Sequence, residues 1–251
     1  MQHPFAPLRL CVLFVFVLGC VSSRATAELT RDSSVDEILN ALHARGKDLN
    51  SFTCDVSMME TDLATGDNPT RIGKVWFQQK GDSDGRIRVN FESVQREGEK
   101  AIEQRIIYIL DKGKLIERNF KKHAQSSHQV LKPGEKINLL KLGEGPFPLP
   151  IGQPKEDVTK LFAVTKIDPS KDDPVDTIHI KLVPLPETQF RKFKSIDVWI
   201  NKENMPIRIV TDDGTYERDT RLTNVVVNPP LNDSHFDLED IDLKEWNVAE
   251  D

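Results

Sequence analysis

The chain has 251 residues, a net charge of −6 from 34 basic and 40 acidic residues, 38% hydrophobic and 29% charged residues, and three cysteines. That length suits one compact domain or two small ones, with a core able to hold without disulfides. The acidic balance argues against neutralising phosphate backbones, so nucleic acid is not an expected partner, and the composition is too ordinary for a disordered or polytopic membrane chain.

The first predicted element is an export signal. Leu10 to Val21 reads LCVLFVFVLGCV, without a charge, after a short stretch ending at Arg9. It falls below the roughly 20 residues of a membrane-spanning helix. Ala25-Thr26-Ala27 places small residues at −3 and −1 of a cleavage site. Residues 1–27 therefore read as a signal peptide and 28–251 as one mature domain, a buried core helix being the bland alternative. Val17-Leu18-Gly19-Cys20 also resembles a lipobox, although Leu18 fits it poorly; acylation of Cys20 would give a membrane-anchored product instead of a freely diffusing one. Cleavage after Ala27 removes Arg9 and Arg24 but no acid, so 34 cations become 32 and the charge moves from −6 to −8. It leaves Cys54 as the one cysteine, in a strand pattern where it reads as a small buried hydrophobe.

A helix comes next. Ser34 with Glu37 forms a capping box, Val35, Ile38, Leu39 and Leu42 recur at helical spacing, and Gly46 suits the stop, predicting a helix over Ser34–Arg45. From Ser51 the period changes to two. Arg86 to Glu92 alternates strictly, as do Thr177–Lys181 and Ser195–Ile200, each a strand with one wet face. Further predicted strands are Phe52–Glu60, Ile72–Gln79, Gln104–Leu110, Leu115–Phe120, a run around Ile207 and Ile209, Thr215–Asp219 and Leu222–Val227. Turn-like segments such as Asp111-Lys112-Gly113-Lys114 and Asp212-Asp213-Gly214 separate them, which requires antiparallel neighbours. A sheet of roughly ten strands must curl or close.

Mid-chain, Lys141 to Gly152 is rich in glycine, proline and large apolar residues, and Asp157–Val164 reads as a short helix with Val158, Leu161 and Phe162 on one face. This pair could lid a curved sheet or simply seal a closed core. The segment Lys121–His128 reads as polar loop, with solvated histidines at His123 and His128, and Asp237–Asp251 as a partly loose acidic tail.

Catalytic motifs are weak. Gly81-Asp82-Ser83-Asp84-Gly85 has the letters of a nucleophile elbow, but polar residues precede it and an alternating strand follows, so Ser83 reads as surface hairpin and a serine hydrolase is a remote alternative. Asp82 and Asp84 lack the other ligands of a calcium loop, and no zinc, phosphate-loop or dinucleotide pattern occurs. The expectation is a non-enzyme with no catalytic residue, metal or cofactor. What remains is an apolar sheet face with few elements to cover it: a cavity for a hydrophobic ligand, or a barrel filled by its own side chains.

Gly73-Lys74-Val75-Trp76-Phe77, the strand–turn–strand from Ile196 through Asn201 and Pro206 to Ile209, then Asp212 to Thr215, Asn224 to Asn228 and Phe236 together resemble the LolA-type periplasmic lipoprotein carriers. The resemblance covers about residues 30 to 240. It implies a mainly β (α+β) fold: a large curved antiparallel sheet forming a half-open barrel, lidded by the N-terminal helix and the mid-chain loop with its short helix. It also implies a monomeric periplasmic carrier of acylated lipoproteins or lipids, loaded by an inner-membrane Lol-type ABC transporter and unloaded by an outer-membrane receptor. A Cys20-acylated receptor of the same fold is the alternative. Val75, Phe77, Ile87, Val89, Phe91, Ile107, Ile109, Ile196, Val198 and Ile200 are expected to face the cavity, with Ile38, Leu39, Leu42, Leu161 and Phe162 covering it; each reads equally as plain core. One departure stands out: carriers of the best-known type have an arginine–proline pair after the G-x-x-W strand, where this chain has Gln78-Gln79-Lys80, so the lid-gating contact does not carry over.

Overall fold

The computed structural model describes residues 29–80, 84–130, 151–186, 188 and 192–250. The signal-peptide and lipobox readings around Cys20, the Ser83 hydroxyl, and the mid-chain loop as far as Pro150 lie outside the described residues.

Helix α1 spans Val35–Asp48. Its capping box is formed as predicted: the Ser34 hydroxyl accepts from the Glu37 N–H at 3.3 Å, and the Glu37 carboxylate accepts from the Ser34 N–H at 2.7 Å. The helix runs one turn past the predicted stop and buries Ile38, Leu39, Ala41 and Leu42.

The rest is one sheet. Its strands are β1 (Ser51–Asp62), β2 (Thr70–Lys80), β3 (Asp84–Gln95), β4 (Ile102–Asp111), β5 (Lys114–Asn119), β6 (Ala124–Gln129), β7 (Phe162–Ile167), β8 (Ile178–Pro184), β9 (Ser195–Ile200), β10 (Pro206–Asp212), β11 (Tyr216–Val227) and β12 (Asn247–Glu250), with helix α2 (Lys155–Leu161) before β7. The spatial order is β12-β6-β5-β4-β3-β2-β1-β11-β10-β9-β8-β7, a row whose two ends are β12 and β7. The sheet is therefore open. Every neighbouring pair is antiparallel except β12 on β6. The architecture is a half-open barrel with a helical lid.

Register converts the sequence alternation into one apolar face. Phe52 lies opposite Phe77 and Cys54 opposite Val75, while β3 places Val89 beside Val75 and Ile87 beside Phe77. On the far side Ile178, Ile180 and Leu182 oppose Ile200, Val198 and Ile196. These residues join those of α1 in one buried cluster.

Four differences from the predicted elements have identifiable causes. The short helix ends at Leu161, and Phe162 opens β7 in extended conformation; the β-branched Val164, Thr165 and Ile167 favour a strand once β8 is there to pair. The polar stretch Ala124–Gln129 is a strand because both β5 and β12 pair with it. The two runs predicted after Gly214 are one strand, β11. Finally, the C-terminal tail is not loose: it crosses the sheet's outer face and ends as β12.

Candidate ligand-binding face

The inner face is built from residues of nine strands, β1–β4 and β7–β11. Val75, Phe77, Ile87, Val89, Phe91, Ile196, Val198 and Ile200 are all brought together in the buried cluster, at 0–5% exposure. Phe52 and Phe77 stack at its centre, with ring centroids 5.1 Å apart. The cluster runs from Leu29 and α1 through the sheet to Leu222. Burying such side chains is favourable because it removes apolar surface from water.

Ile107 and Ile109 do not belong to it. On β4, Leu110 lies opposite Ile87, Tyr108 opposite Val89 and Ile106 opposite Phe91, so Ile106, Tyr108 and Leu110 share the inner face. Ile107 and Ile109 pair with Asn90 and Arg88 on the outer face. Both are nonetheless buried, at 1% and 3%.

The covering elements are positioned by polar contacts at their rims. Ile38, Leu39 and Leu42 are at most 1% exposed, and Val158 of α2 joins them. Leu161 is partly buried against the cluster; Phe162 is fully within it, contributed by the start of β7. Lys155 of α2 pairs with Asp36 of α1 at 2.7 Å, and Lys166 of β7 donates to the Arg31 and Ser33 carbonyls at 2.9 and 3.0 Å. At the other end of α1, Gly152 N–H donates to the Leu42 carbonyl at 3.1 Å, and His43 Nδ1 lies 3.0 Å from the Gly152 carbonyl as its donor. Ile151, between these bonds and the sheet, is fully buried.

Cys54 sits in this face at 4% exposure, and burial, with the Asp55 charge adding to it, pushes its thiol up to about 12. A thiolate is scarce at neutral pH there. Alkylation by iodoacetamide is expected to be at least about 100-fold slower in native protein than in urea-unfolded protein, because it must await opening; mass spectrometry of the quenched reaction reads this.

The outer face carries a charged and aromatic ladder that strand periodicity alone does not reveal. His179, Trp199, Arg208 and Arg221 are cross-strand neighbours on β8, β9, β10 and β11. His179 stacks on Trp199 at 4.0 Å, and the Arg208 guanidinium lies 4.3 Å from the Trp199 ring while making two bonds to Asp219 at 3.0 and 2.9 Å. Asp197 accepts from His179 Nε2 at 2.8 Å and Lys181 Nζ at 3.1 Å. Burial works to raise the Asp197 carboxyl, but these two hydrogen bonds and their charges outweigh it and hold the group below its ordinary value of 3.8. A depressed folded value stabilises the fold above the unfolded pKa and is lost as pH falls through the folded value, here below about pH 4. Asp197→Asn is thus expected to lower stability at neutral pH by on the order of 1–3 kcal/mol and to flatten the acid limb of the stability profile. Urea midpoints measured from neutral pH down to about pH 3 test this.

An open pocket of about 260 Å³ lies elsewhere, over the β1–β11 bulge, lined by Thr53, Cys54, Asp55, Lys74, Val75, Trp76 and Asn224. Its outer wall is polar, with Asn224 donating to Asp55 at 2.7 Å. Cys54 and Val75, which also belong to the buried cluster, form its floor. Among the described residues no three of His, Cys, Asp and Glu converge as metal ligands, and no helix is long and apolar enough to cross a membrane.

No protein-family model matches the sequence, and no curated protein matches it. Among solved structures the chain is similar to lipoprotein LppX from Mycobacterium tuberculosis, at 14% identity and a TM-score of 0.43 over 79% of this chain and 99% of that one. It is also similar to LprF from Mycobacterium bovis, at 14% identity and 0.43 over 78% and 94%. A LolA-superfamily protein from Nitrosomonas europaea matches at 11% identity and 0.31 over 80% and 97%. These are likenesses of layout and say nothing about ligand.

Proposed function

We propose that the mature chain, residues 28–251, is an exported, non-enzymatic carrier that shields the acyl chains of lipoproteins or similar lipids and moves them across the envelope toward the outer membrane. The observation that supports this most is the inner face itself: aliphatic and aromatic side chains from nine strands of an open sheet, covered by two helices and Ile151. Each acyl methylene buried on that face contributes about 0.8 kcal/mol, so three chains of ordinary length would more than offset removing them from a bilayer edge only if most of the face is offered to them. Since the face is closed in the described structure, binding requires α1, α2 and the Ile151 segment to move outward together, with α2 and α1 tied through Lys155 and Asp36. The sequence resemblance to LolA-type carriers supports the same reading. An inner-membrane Lol-type transporter and an outer-membrane receptor are its natural partners.

The test is extraction of protein purified from the envelope, followed by lipid and peptide mass spectrometry, and titration of the protein with a diacylated lipopeptide. Co-purifying acylated species or saturable uptake is expected. Their joint absence overturns the carrier. Intact mass separates a soluble product beginning at Glu28 from one anchored through an acylated Cys20.

A further inference from the structure

The outer face of β3, β4 and β5 carries a row of arginines, and the chain's own C-terminal segment lies across it. That segment, from Asp233 to Glu250, contains seven acidic residues and one lysine. Arg88 donates to the carbonyls of His235 and Asp237 at 3.3 and 2.7 Å, and Arg118 to the carbonyl of Glu239 at 2.6 Å. Asp233–His235 form a single 3-10 turn and the chain runs on without regular structure through Glu239, so the arginines hold this segment by its main-chain carbonyls as well as by its side chains. Arg105 adds an ion pair to Glu239 at 2.6 Å, and Arg86 one to Asp233 at 2.7 Å.

Two aromatic anchors hold the ends. Phe236 is 6% exposed, with the Arg86 guanidinium 4.1 Å from its ring centre. Trp246 stacks on His123 at 5.5 Å and meets Phe120 edge-on at 5.3 Å. Beyond it, Asn247–Glu250 adds as a parallel strand to the edge of β6. Main-chain recognition, an added strand, two aromatic anchors and charge complementarity are the features of a bound peptide.

The segment is also held lightly. From Asp237 to Glu250 none of its residues is buried, and the acidic partners of its ion pairs are half exposed or more. Such pairs contribute little in water, so this segment belongs to the part of the molecule that opens first. What it would leave behind is demanding: Arg86 and Arg118 are buried residues, and Arg88 and Arg118 would lose their carbonyl acceptors on the segment.

We propose that the arginine row with the β6 edge is a docking site for an acidic polypeptide segment of a partner protein, and that the chain's C-terminal segment is its resident competitor. The site is on the face opposite the apolar one, so it does not depend on acyl binding. Its chemistry selects an acidic peptide with carboxylates placed for Arg86 and Arg105, an aromatic residue at either end and a last few residues able to add as a strand to β6.

The test is fluorescence anisotropy of a labelled peptide of sequence 232–250 against the full-length protein at low salt. Weakening the competitor by Trp246→Ala in the full chain is expected to tighten peptide binding about tenfold, since affinity scales with the fraction of sites vacated. Arg105→Glu is expected to abolish binding, and a peptide carrying Glu239→Arg to restore it, which a misfolded variant would not do. Equal affinity for wild type and Trp246→Ala, or binding indifferent to Arg105→Glu, overturns the proposal. A concentration-dependent dimer of Trp246→Ala that excludes the peptide also overturns it, by assigning the face to a second copy of this chain.

Discussion

Replacing Gly73 with alanine is expected to destabilise the protein by roughly 3–4 kcal/mol, the upper end of what overpacking produces. A Cβ on Gly73 would lie 1.8 Å from the Asn90 carbonyl oxygen, 2.7 Å from its carbon and 2.8 Å from Phe91 Cα. All three are backbone atoms of β3, which cannot rotate away as a side chain would. The cause is local: the β2–β3 register shifts between Ile72, opposite Ser93, and Gly73, opposite Phe91, leaving Glu92 as an extra residue that bows β3 toward β2. Any side chain at 73 must push the strands apart and strain the ladder beside Val75 and Val89. Urea denaturation should show a lower midpoint, and melting a fall of roughly 10 °C. Lys74→Ala next door, 64% exposed at its side chain, should change stability by no more than about 0.5 kcal/mol.

Gly73 also shows how far the sequence was legible. As part of Gly73-Lys74-Val75-Trp76-Phe77 it was readable as a motif, yet its physical reason, a bulge in the neighbouring strand, is fixed by pairing and not by local pattern. Strands with one wet face were legible because alternation names the buried side: Ile196, Val198 and Ile200 needed nothing more. Ile106 to Leu110 was not, because apolar residues occupy both faces of β4 and the phase of the alternation is lost. The pattern alone points Ile107 and Ile109 inward, whereas their register against Asn90 and Arg88 puts them on the outer face. Both isoleucines are buried all the same, which a strand with one wet face does not predict. Sequence separation hides the arginine row, whose partners lie 121 to 149 residues further along the chain. Arg86, Arg88, Arg105 and Arg118 occupy the polar positions of strands and look like solvated faces until the C-terminal segment is laid over them. Ala124–Gln129 has no apolar period at all, and only its partners β5 and β12 make it a strand.

Gly46→Ala is expected to separate the lid from its anchor, with a net loss of roughly 2–3 kcal/mol. Within a helix the substitution alone would stabilise by about 1 kcal/mol, so a net loss isolates the contact. A Cβ there would sit 2.1 Å from Gly152 Cα, 2.4 Å from Gly152 N and 3.1 Å from the Ile151 carbonyl carbon. The Ile151–Gly152 backbone must therefore retreat from α1, breaking the Gly152 bond to Leu42 and the His43 bond to Gly152. Ile151, fully buried, would be drawn toward solvent at a cost of about 1.5–3 kcal/mol. The sheet itself is untouched, since Phe77, Val89 and Val198 make no use of that contact. On the carrier reading the variant should bind an environment-sensitive acyl probe more tightly and faster than wild type, because the closed state has lost part of its advantage over the open one. If the inner face were only core, the same variant would lose stability with no gain in probe binding. Paired measurements of urea midpoint and probe association rate distinguish the two outcomes on one protein preparation.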